Sequence, residues 1–282
     1  MDIYYVDGKF VPADEAVVPV NDLALLRGYG VFDLVRTYGG KPFFLQAHIH
    51  RLIHSAGEID LHLPWSEQEL TEVVLETLRR NAHPEANIRM VVTGGSSPDF
   101  MTPQGKPRLL VLVSPAPSLP PQWYSEGVAI VTVEVERYKP GAKSINYIPA
   151  TIAMKNARKK GAIEALYIDR EGFVLEGTTS NIFAFIQGRL VTPGRGILSG
   201  VTRQVVLDIA EKLYEIDIRD LSLKEMLAAD EIFITGTNKG LVPVVRVDGR
   251  DIGSGKPGER TRAVMEKVAA FTAGKKDEAP AT

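Results

Sequence analysis

The chain has 282 residues, of which 44% are hydrophobic and 24% charged, a composition typical of a soluble globular protein with one large or two packed domains. Its 33 basic and 35 acidic residues give a net charge of −2, which attracts no nucleic acid, and the absence of cysteine excludes disulfides and thiolate metal sites. No segment approaches the roughly 20 apolar residues of a membrane span, and no secretory signal opens the chain, so we expect a cytoplasmic protein.

The first part of the chain predicts short strands and two helices. Alternating hydrophobic residues around a turn dipeptide predict two hairpins, in residues 3–11 with a turn at Asp7-Gly8 and in residues 30–44 with a turn at Gly39-Gly40. Helical periodicity follows in residues 46–59 and 66–81, and Ser66 with Glu69 predicts a capping box. Two apolar runs have the length and composition of strands, residues 87–93 and 108–114.

A proline-rich stretch then interrupts the pattern, with four prolines within residues 115–121. Such a stretch can neither continue a helix nor pair inside a sheet. We therefore predict an N-terminal domain over residues 1–117, a linker over 118–124 and a C-terminal domain over 125–282. Within that last domain, periodicity predicts strands over 127–136, 164–169, 181–187 and 231–236, and helices over 148–161, over 202–215 and from Gly258 towards a polar, mobile tail.

Lys143 and Glu176 are the first candidates for chemistry. Lys143 follows a Pro-Gly break, and burial beside cations or a conjugated ring lowers the pKa of a lysine enough for imine formation. Alone it indicates little, because most lysines are solvated surface charges. Glu176 closes a predicted strand just before Asn181 opens the next, and a carboxylate against a pyridine nitrogen keeps such a ring protonated as an electron sink. Alternatively, Glu176 is an ordinary solvated acid at the end of a strand.

A candidate anion site begins a later helix. Gly200, Val201 and Thr202 would offer unpaired backbone N–H groups, the positive end of the helix dipole and a hydroxyl group. A second hydroxyl source, residues 235–237, ends a predicted strand, and Arg51 could supply a fixed positive charge. Each of these features is, by itself, also typical of an ordinary helix cap or surface.

Taken in order, these segments resemble the fold-type IV enzymes that use pyridoxal 5′-phosphate (PLP). That family includes branched-chain aminotransferases, D-amino acid aminotransferases and aminodeoxychorismate lyase. The resemblance spans nearly the whole chain and is carried by RGYGVFDLVRTYGGKPFFLQAHIHRL, KSINY, EGTTSNIFAF, GILSGVTR and ADEIFITGTNKGLVPV. It implies an α/β (α+β) fold, with a small α/β domain, a larger domain of barrel-like character, and a homodimer whose loops complete each other's active sites.

The resemblance also implies roles for individual residues. Lys143 becomes the lysine that forms the Schiff base with PLP, and Glu176 the partner of the ring nitrogen. Tyr147 lies near the phenolic oxygen of the cofactor. The phosphate ligands are Arg51, Val201, Thr202 and Thr237.

Substrate choice follows from the cations. Arg89 matches an arginine of the branched-chain type, whereas Asp99 and Met101 stand where the usual D-amino acid type has an arginine and a histidine that bind the substrate carboxylate. Three features depart from the branched-chain type: Arg27 replaces a tyrosine, Lys239 replaces a small residue, and the spacing from Lys143 to Tyr147 is one residue shorter. Leu34 also replaces a glycine that leaves room for substrate.

The set Arg27, Arg89, Lys239 and Tyr147 resembles the carboxylate-binding arrangement of less typical D-amino acid aminotransferases. Three cations favour a substrate with two carboxylates. We therefore expect transamination of D-amino acids, such as D-glutamate or D-alanine, with 2-oxoglutarate. The alternatives are a branched-chain L-amino acid aminotransferase, an aminodeoxychorismate-type lyase, or a module that only binds a phosphorylated metabolite. If Arg27 and Lys239 do not bind substrate, we expect them to form surface salt bridges.

Three histidines also lie close together. His50 and His54 are one helical turn apart, a spacing that can bind zinc, and His48 is nearby. No carboxylate-containing metal motif surrounds them, and Arg51 would repel a cation, so we predict no metal site. We expect packing and surface positions, with His48 oriented towards the cofactor.

Overall fold

The computed structural model describes residues 1–277 and divides them into two compact units. The first unit contains Met1–Pro117, Gly141–Tyr147 and the chain from Gly274, and the second contains Ser118–Pro140 and Ile148–Ala273. Lys143 therefore groups with the N-terminal residues, although the sequence places it in the C-terminal domain. None of the helices within residues 1–277 is long and apolar enough to cross a membrane.

The first unit is a six-stranded antiparallel sheet with its two longer helices packed on one face. In order along the sheet its strands are β2, β1, β6, β5, β3 and β4. The strands are β1 (Ile3–Val6), β2 (Lys9–Pro12), β3 (Gly30–Tyr38), β4 (Lys41–Pro42), β5 (Ala86–Thr93) and β6 (Arg108–Pro115). A 3-10 turn spans Ala13–Glu15, and the helices are α1 (Leu23–Arg27), α2 (Leu45–Glu58) and α3 (Glu67–Arg79).

Local signals in the sequence are confirmed in this unit. Both predicted hairpins form, with positive φ angles of 50° and 94° at Asp7 and Gly8. Ser66 and Glu69 form the capping box of α3. Because side chains alternate along a strand, Val31 and Val35 of β3 pack into the core beneath α2 and α3.

The second unit is a ten-stranded mixed sheet with helices around it. Its strands are β7 (Val128–Glu134), β8 (Glu164–Ile168), β9 (Phe173–Gly177), β10 (Asn181–Ile186), β11 (Arg189–Thr192), β12 (Ile216–Ile218), β13 (Leu221–Ser222), β14 (Glu231–Gly236), β15 (Gly240–Val247) and β16 (Arg250–Asp251). Its helices are α4 (Gln122–Ser125), α5 (Ile148–Lys159), α6 (Val201–Ala210), α7 (Leu223–Leu227) and α8 (Glu259–Asp277). A mobile tail was predicted from Gly274, but residues 274–277 belong to α8, and the rest of that tail lies outside the described residues.

This second sheet curls upon itself. Its order is β12-β11-β10-β14-β15-β7-β8-β9-β13, so β9 and β10 are five positions apart. Yet a tight turn joins them directly, in which Gly177 N–H donates to the Ser180 carbonyl at 2.8 Å. In a flat sheet, strands five positions apart cannot be joined by a tight turn, so the sheet must curl. The apolar core inside the curl includes Ile130, Ile182 and Ile234. The predicted α/β fold with a barrel-like larger part is confirmed.

Helix α6 is shorter than the sequence predicts. Periodicity extends to residue 215, whereas the helix ends at Ala210, whose carbonyl accepts hydrogen bonds from the N–H groups of Leu213 and Tyr214. Leu190 N–H then donates to the Glu215 carbonyl, and β12 pairs in parallel with β11. Pairing with a distant strand thus overrides the local helical pattern.

Candidate active site

Lys143 lies on a short segment that is held against β3 and α2. The Lys143 carbonyl accepts a hydrogen bond from Phe32 N–H at 2.9 Å, and Lys143 N–H donates to Ser55 Oγ at 3.0 Å. Two residues later, Ile145 N–H donates to the Gly30 carbonyl at 3.1 Å. These long-range bonds fix the backbone on both sides of the lysine, and they explain why residues 141–147 group with the first unit.

The ring of Phe32 organises the surroundings of this lysine. Lys143 Nζ lies 4.7 Å from the ring centroid and Arg89 Cζ lies 5.1 Å from it, distances suited to cation–π attraction. The ring of Tyr147 approaches edge-on, with 5.3 Å between centroids. Leu34 is directly opposite Arg89 in the register of β3 and β5. The structure therefore brings together Lys143, Arg89 and Tyr147, and the sequence analysis missed the Phe32 ring that they share.

A buried ionic cluster lies on the other face of β3. Asp33 Oδ1 accepts from Arg51 Nη2 at 2.8 Å and from His48 Nδ1 at 2.7 Å, and Asp33 Oδ2 accepts from Arg51 Nε at 2.8 Å. Burial alone raises the pKa of the Asp33 carboxyl, but the charge of Arg51 and the hydrogen bonds from Arg51 and His48 outweigh it and hold that pKa well below its usual range. Burial lowers the pKa of His48, so its imidazole is neutral at neutral pH.

Asp33 is a second residue that the sequence analysis missed. Arg51, predicted as a phosphate ligand, is bound through two of its nitrogens to this carboxylate. Such a bidentate pair fixes the plane of the guanidinium group. An acid at a core-facing position of an alternating strand was the signal that could have revealed Asp33.

In the second unit, Glu176 is a buried carboxylate at the end of β9. Its Oε1 accepts from Arg137 Nε at 2.9 Å, and its Oε2 accepts from Leu198 N–H at 2.9 Å. Arg137 also donates to the Pro140 carbonyl. The guanidinium group compensates the buried charge and orients the carboxylate, a role that the sequence analysis did not assign to Arg137.

The start of α6 has the features of an anion site. Gly200 is its N-cap and supplies no side-chain cap to the first-turn N–H groups, to which Val201 and Thr202 belong. On the face of β14 that packs against α6, Thr235 Oγ1 is buried, and within the described residues it has no hydrogen-bond partner. First-turn amides without a side-chain cap, and a buried hydroxyl without a partner in residues 1–277 on a strand that packs against the same helix, suit a group that brings its own acceptor oxygens.

Gly200 provides a test of this anion site. An added Cβ would lie 2.0 Å from Asn181 Oδ1, so in Gly200→Ala either the Asn181 side chain or the start of α6 must shift. Overpacking of this kind costs about 1–3 kcal/mol, and we expect PLP binding to weaken by about tenfold. A PLP titration followed by absorbance measures this, with Gly57→Ala as the matched control because a Cβ at Gly57 meets open space. Equal PLP affinity in the two variants would argue against a phosphate at α6.

The cations predicted to bind substrate carboxylates have different environments. Arg27 is exposed at the end of α1, donates to the Leu26 carbonyl at 2.8 Å, and forms no ion pair within residues 1–277. Lys239 is mostly buried and donates to Glu164 Oε2 at 2.7 Å and to Thr179 Oγ1 at 2.9 Å. Its salt bridge is therefore buried and not the predicted surface pair, and two of its three N–H groups are bonded within residues 1–277.

The histidines that lie close together in the sequence contact different carboxylates. His48 contacts Asp33, whereas exposed His50 contacts Glu67 at 2.7 Å. In the part of the chain that the structure describes, no group of three or more histidine and carboxylate side chains has the arrangement of a metal site.

Comparison with known proteins decides the family. The profile of the amino-transferase class IV family matches residues 30–247. The chain belongs to the class IV aminotransferases. These enzymes are PLP-dependent, and the resemblance inferred from the sequence is confirmed.

Individual relatives of this class IV aminotransferase carry two kinds of name. A protein of Methanocaldococcus jannaschii, provisionally described as a branched-chain-amino-acid aminotransferase, is 41% identical over 273 residues, covering 93% of this chain and 94% of its own. The D-alanine aminotransferase of Staphylococcus haemolyticus is 32% identical over 275 residues, covering 93% and 95%. Among solved structures, the branched-chain amino acid aminotransferase of T.th. with pyridoxamine 5′-phosphate has a TM-score of 0.90 and 29% identity, covering 97% and 95%.

The residues of this class IV aminotransferase fit PLP. The first unit presents the amine of Lys143 for an aldehyde. In the second unit, the buried carboxylate of Glu176 would suit a ring nitrogen, and the amides after Gly200 with the hydroxyl groups of Thr235 and Thr237 would suit a phosphate. Taken unit by unit, the described residues therefore have the chemistry that these groups of the cofactor would require.

Proposed function

We propose that this aminotransferase acts on D-amino acids, such as D-glutamate and D-alanine, with 2-oxoglutarate as amino acceptor. The observation that carries the proposal is the Phe32 ring, on which the guanidinium group of Arg89 and the amine of Lys143 both lie within about 5 Å of one centroid. A fixed cation beside the reactive amine is what binding of a substrate carboxylate requires.

Two neighbouring features support D-amino acids over branched-chain substrates. Leu34 is opposite Arg89 on the same face of the sheet, where the branched-chain type has a glycine, so it fills space beside the proposed carboxylate site. Arg27 is exposed and forms no ion pair within residues 1–277, so it is available to a second carboxylate. Lys239 can contribute to substrate binding only through the N–H group that Glu164 and Thr179 do not bind.

The other residues take the following roles in the proposal. Lys143 Nζ holds the cofactor and then moves the proton of the substrate α-carbon, while Glu176 binds the ring nitrogen and Tyr147 the phenolic oxygen. PLP supplies an electron-withdrawing ring and the carbon that receives the amino group. The proposed phosphate ligands are Arg51, Val201, Thr202 and Thr237.

The branched-chain reaction is the second candidate. Arg89 matches an arginine of that type, and the provisionally described archaeal relative is 41% identical. Half-reactions separate the two candidates, because an amino acid that reacts converts the cofactor to its amine form and changes its visible absorbance. We expect D-glutamate and D-alanine to react and L-leucine to remain inert. Rapid conversion by L-leucine with no conversion by either D-amino acid would overturn the proposal.

We also propose a cytoplasmic homodimer, as the family resemblance implies. Light scattering of the purified holoenzyme should give twice the mass of 30.9 kDa that the chain has. A mass of one chain at micromolar concentration would contradict the dimer.

The proposed role of Arg89 predicts a kinetic signature. Arg89→Ala removes a charge-assisted hydrogen bond worth about 1.5–3 kcal/mol, so KM for amino acids should rise by about tenfold to a hundredfold. Steady-state kinetics with a saturating acceptor measures the change. Arg79→Ala is the matched control, because Arg79 is exposed on α3 and pairs only with Glu76 within the described residues. Wild-type KM and kcat in Arg89→Ala would exclude this arginine from substrate binding.

A further inference from the structure

Glu164 is a fully buried carboxylate that the proposed chemistry does not use. It begins β8 and has no exposed surface. Its oxygens accept hydrogen bonds from Thr178 Oγ1, from Thr179 Oγ1 at 2.8 Å, from Ser180 Oγ at 2.9 Å and from Lys239 Nζ at 2.7 Å. Three consecutive hydroxyl groups and one ammonium group therefore converge on a single acid.

These donors come from two loops that flank the proposed cofactor ligands. Thr178, Thr179 and Ser180 form the turn between Glu176 and β10, and Lys239 ends the loop that contains Thr237. Lys239 Nζ also donates to Thr179 Oγ1 at 2.9 Å, so it bonds one loop directly to the other. The network is thus positioned to set the geometry of both loops at once.

Two glycines make this convergence possible. A Cβ at Gly177 would lie 2.3 Å from Ser180 Oγ and 3.1 Å from Glu164 Cγ. A Cβ at Gly236 would lie 3.0 Å from the Thr179 carbonyl oxygen and 3.5 Å from Lys239 Cγ. Close packing around the carboxylate indicates a fixed arrangement that admits little displacement of either loop.

Charge balance determines how the pair behaves. A buried carboxylate without a counter-ion is strongly unfavourable, and within residues 1–277 Lys239 is the only cation in an ion pair with Glu164. Burial alone raises the pKa of the Glu164 carboxyl, but the charge of Lys239 and the hydroxyl hydrogen bonds outweigh it and hold that pKa below its usual value. Removing Lys239 alone therefore leaves a desolvated negative charge between the two loops.

We propose that Glu164 and Lys239 are a positioning pair, which holds the Glu176 and Thr237 loops in the geometry that binds the cofactor. The pair acts through its neighbours and contacts neither PLP nor the reacting atoms. This inference rests on the proposed cofactor roles of Glu176 and Thr237. It assigns Lys239 chiefly to Glu164, whereas the sequence analysis assigned it to a substrate carboxylate.

The two roles of Lys239 predict opposite results in a double-mutant cycle. The variants are Glu164→Gln, Lys239→Met and the combined E164Q/K239M, in which the charge and the counter-ion are removed together. If the pair positions the loops, each single variant weakens PLP binding by about tenfold, and the combined variant recovers most of that loss. The melting temperature of the PLP-free protein should follow the same pattern. Absorbance titration with PLP and thermal unfolding measure the two quantities.

The outcome that overturns the proposal is equally specific. If Lys239 instead binds substrate, the combined variant keeps a raised KM for the amino acid, while PLP affinity is normal in every variant. Lys224→Met, an exposed lysine on α7, is the control for loss of one positive charge. If Lys239→Met does not fold, Glu164→Gln is compared with Lys239→Arg, which keeps the counter-ion. The positioning role predicts weaker PLP binding in Glu164→Gln and an affinity within about threefold of wild type in Lys239→Arg, and normal PLP affinity in Glu164→Gln would overturn it.

Failure of this inference is distinguishable from failure of the proposed function. PLP affinity and melting temperature do not depend on which amino acid is the substrate. If the PLP affinities follow the predicted pattern of loss and recovery but D-amino acids do not react, only the substrate proposal is overturned. Unchanged PLP affinity in both single variants, with active D-amino acids, would overturn only the positioning pair.

Discussion

Replacing Lys143 by alanine is expected to lower kcat by about 10²–10⁴-fold, the range that a positioned general acid–base group contributes, while the protein remains folded. The loss follows because the Lys143 amine is the group proposed to hold the cofactor and to move the α-proton. Single-turnover absorbance with the preferred amino acid measures the rate. Borohydride reduction followed by peptide mass analysis locates the covalently attached cofactor.

The matched control for this variant is Lys139→Ala. Lys139 is an exposed lysine four residues earlier in the same connecting segment, so its removal changes the net charge equally. The control should keep the wild-type rate and the label on Lys143. A label on another side chain, or a rate for Lys143→Ala within a fewfold of wild type, would contradict the assignment.

Asp33→Asn should strongly destabilise the first unit. Removing one partner of a buried ion pair costs about 3–5 kcal/mol, since Arg51 loses the negative charge of Asp33. The guanidinium group also loses its fixed plane, so PLP binding should weaken as well. Urea unfolding of the PLP-free protein and PLP titration measure the two effects. Asp14→Asn, at an exposed position in the 3-10 turn, should leave both quantities unchanged.

The Asp33 cluster also predicts how stability depends on pH. Because the folded state depresses the pKa of Asp33, the pair stabilises the protein above the ordinary carboxyl pKa of about 4, and this contribution is lost as pH falls further towards the folded value. Urea midpoints between pH 3 and 7 should therefore fall at the acid end in the wild type. They should fall less in Asp33→Asn, and parallel curves for the two proteins would contradict the assigned pair.

Local patterns alone predicted several elements correctly. The hairpin turn at Asp7-Gly8 and the capping box at Ser66 and Glu69 depend on residues within three positions of each other, so their physics is visible in the sequence. The strand that ends near Glu176 and the next strand at Asn181 were also predicted, because each has a clear apolar run. Helix α6 was predicted too long, because the parallel pairing of β12 with β11 is not a local property.

The candidate site was predicted from the sequence only as a set of separate residues. Lys143, Glu176 and Arg51 were recognisable from their motifs, whereas Phe32 and Asp33 were not. The alternating pattern of a strand shows which face of the sheet a residue lies on. It does not show which charged residue of a packed helix that side chain meets. Arg51 is 18 positions from Asp33, so their pairing depends on how α2 packs on β3.

The sequence by itself therefore determined the family, the fold class and the candidate reactive lysine, since these depend on ordered motifs and local periodicity. Only the tertiary structure decided the partner of each buried charge: Asp33 for Arg51, Arg137 for Glu176, and Glu164 for Lys239. The last pair is separated by 75 positions along the chain. A buried charge is stable only where folding brings a counter-charge within about 4 Å, and no local pattern records that distance.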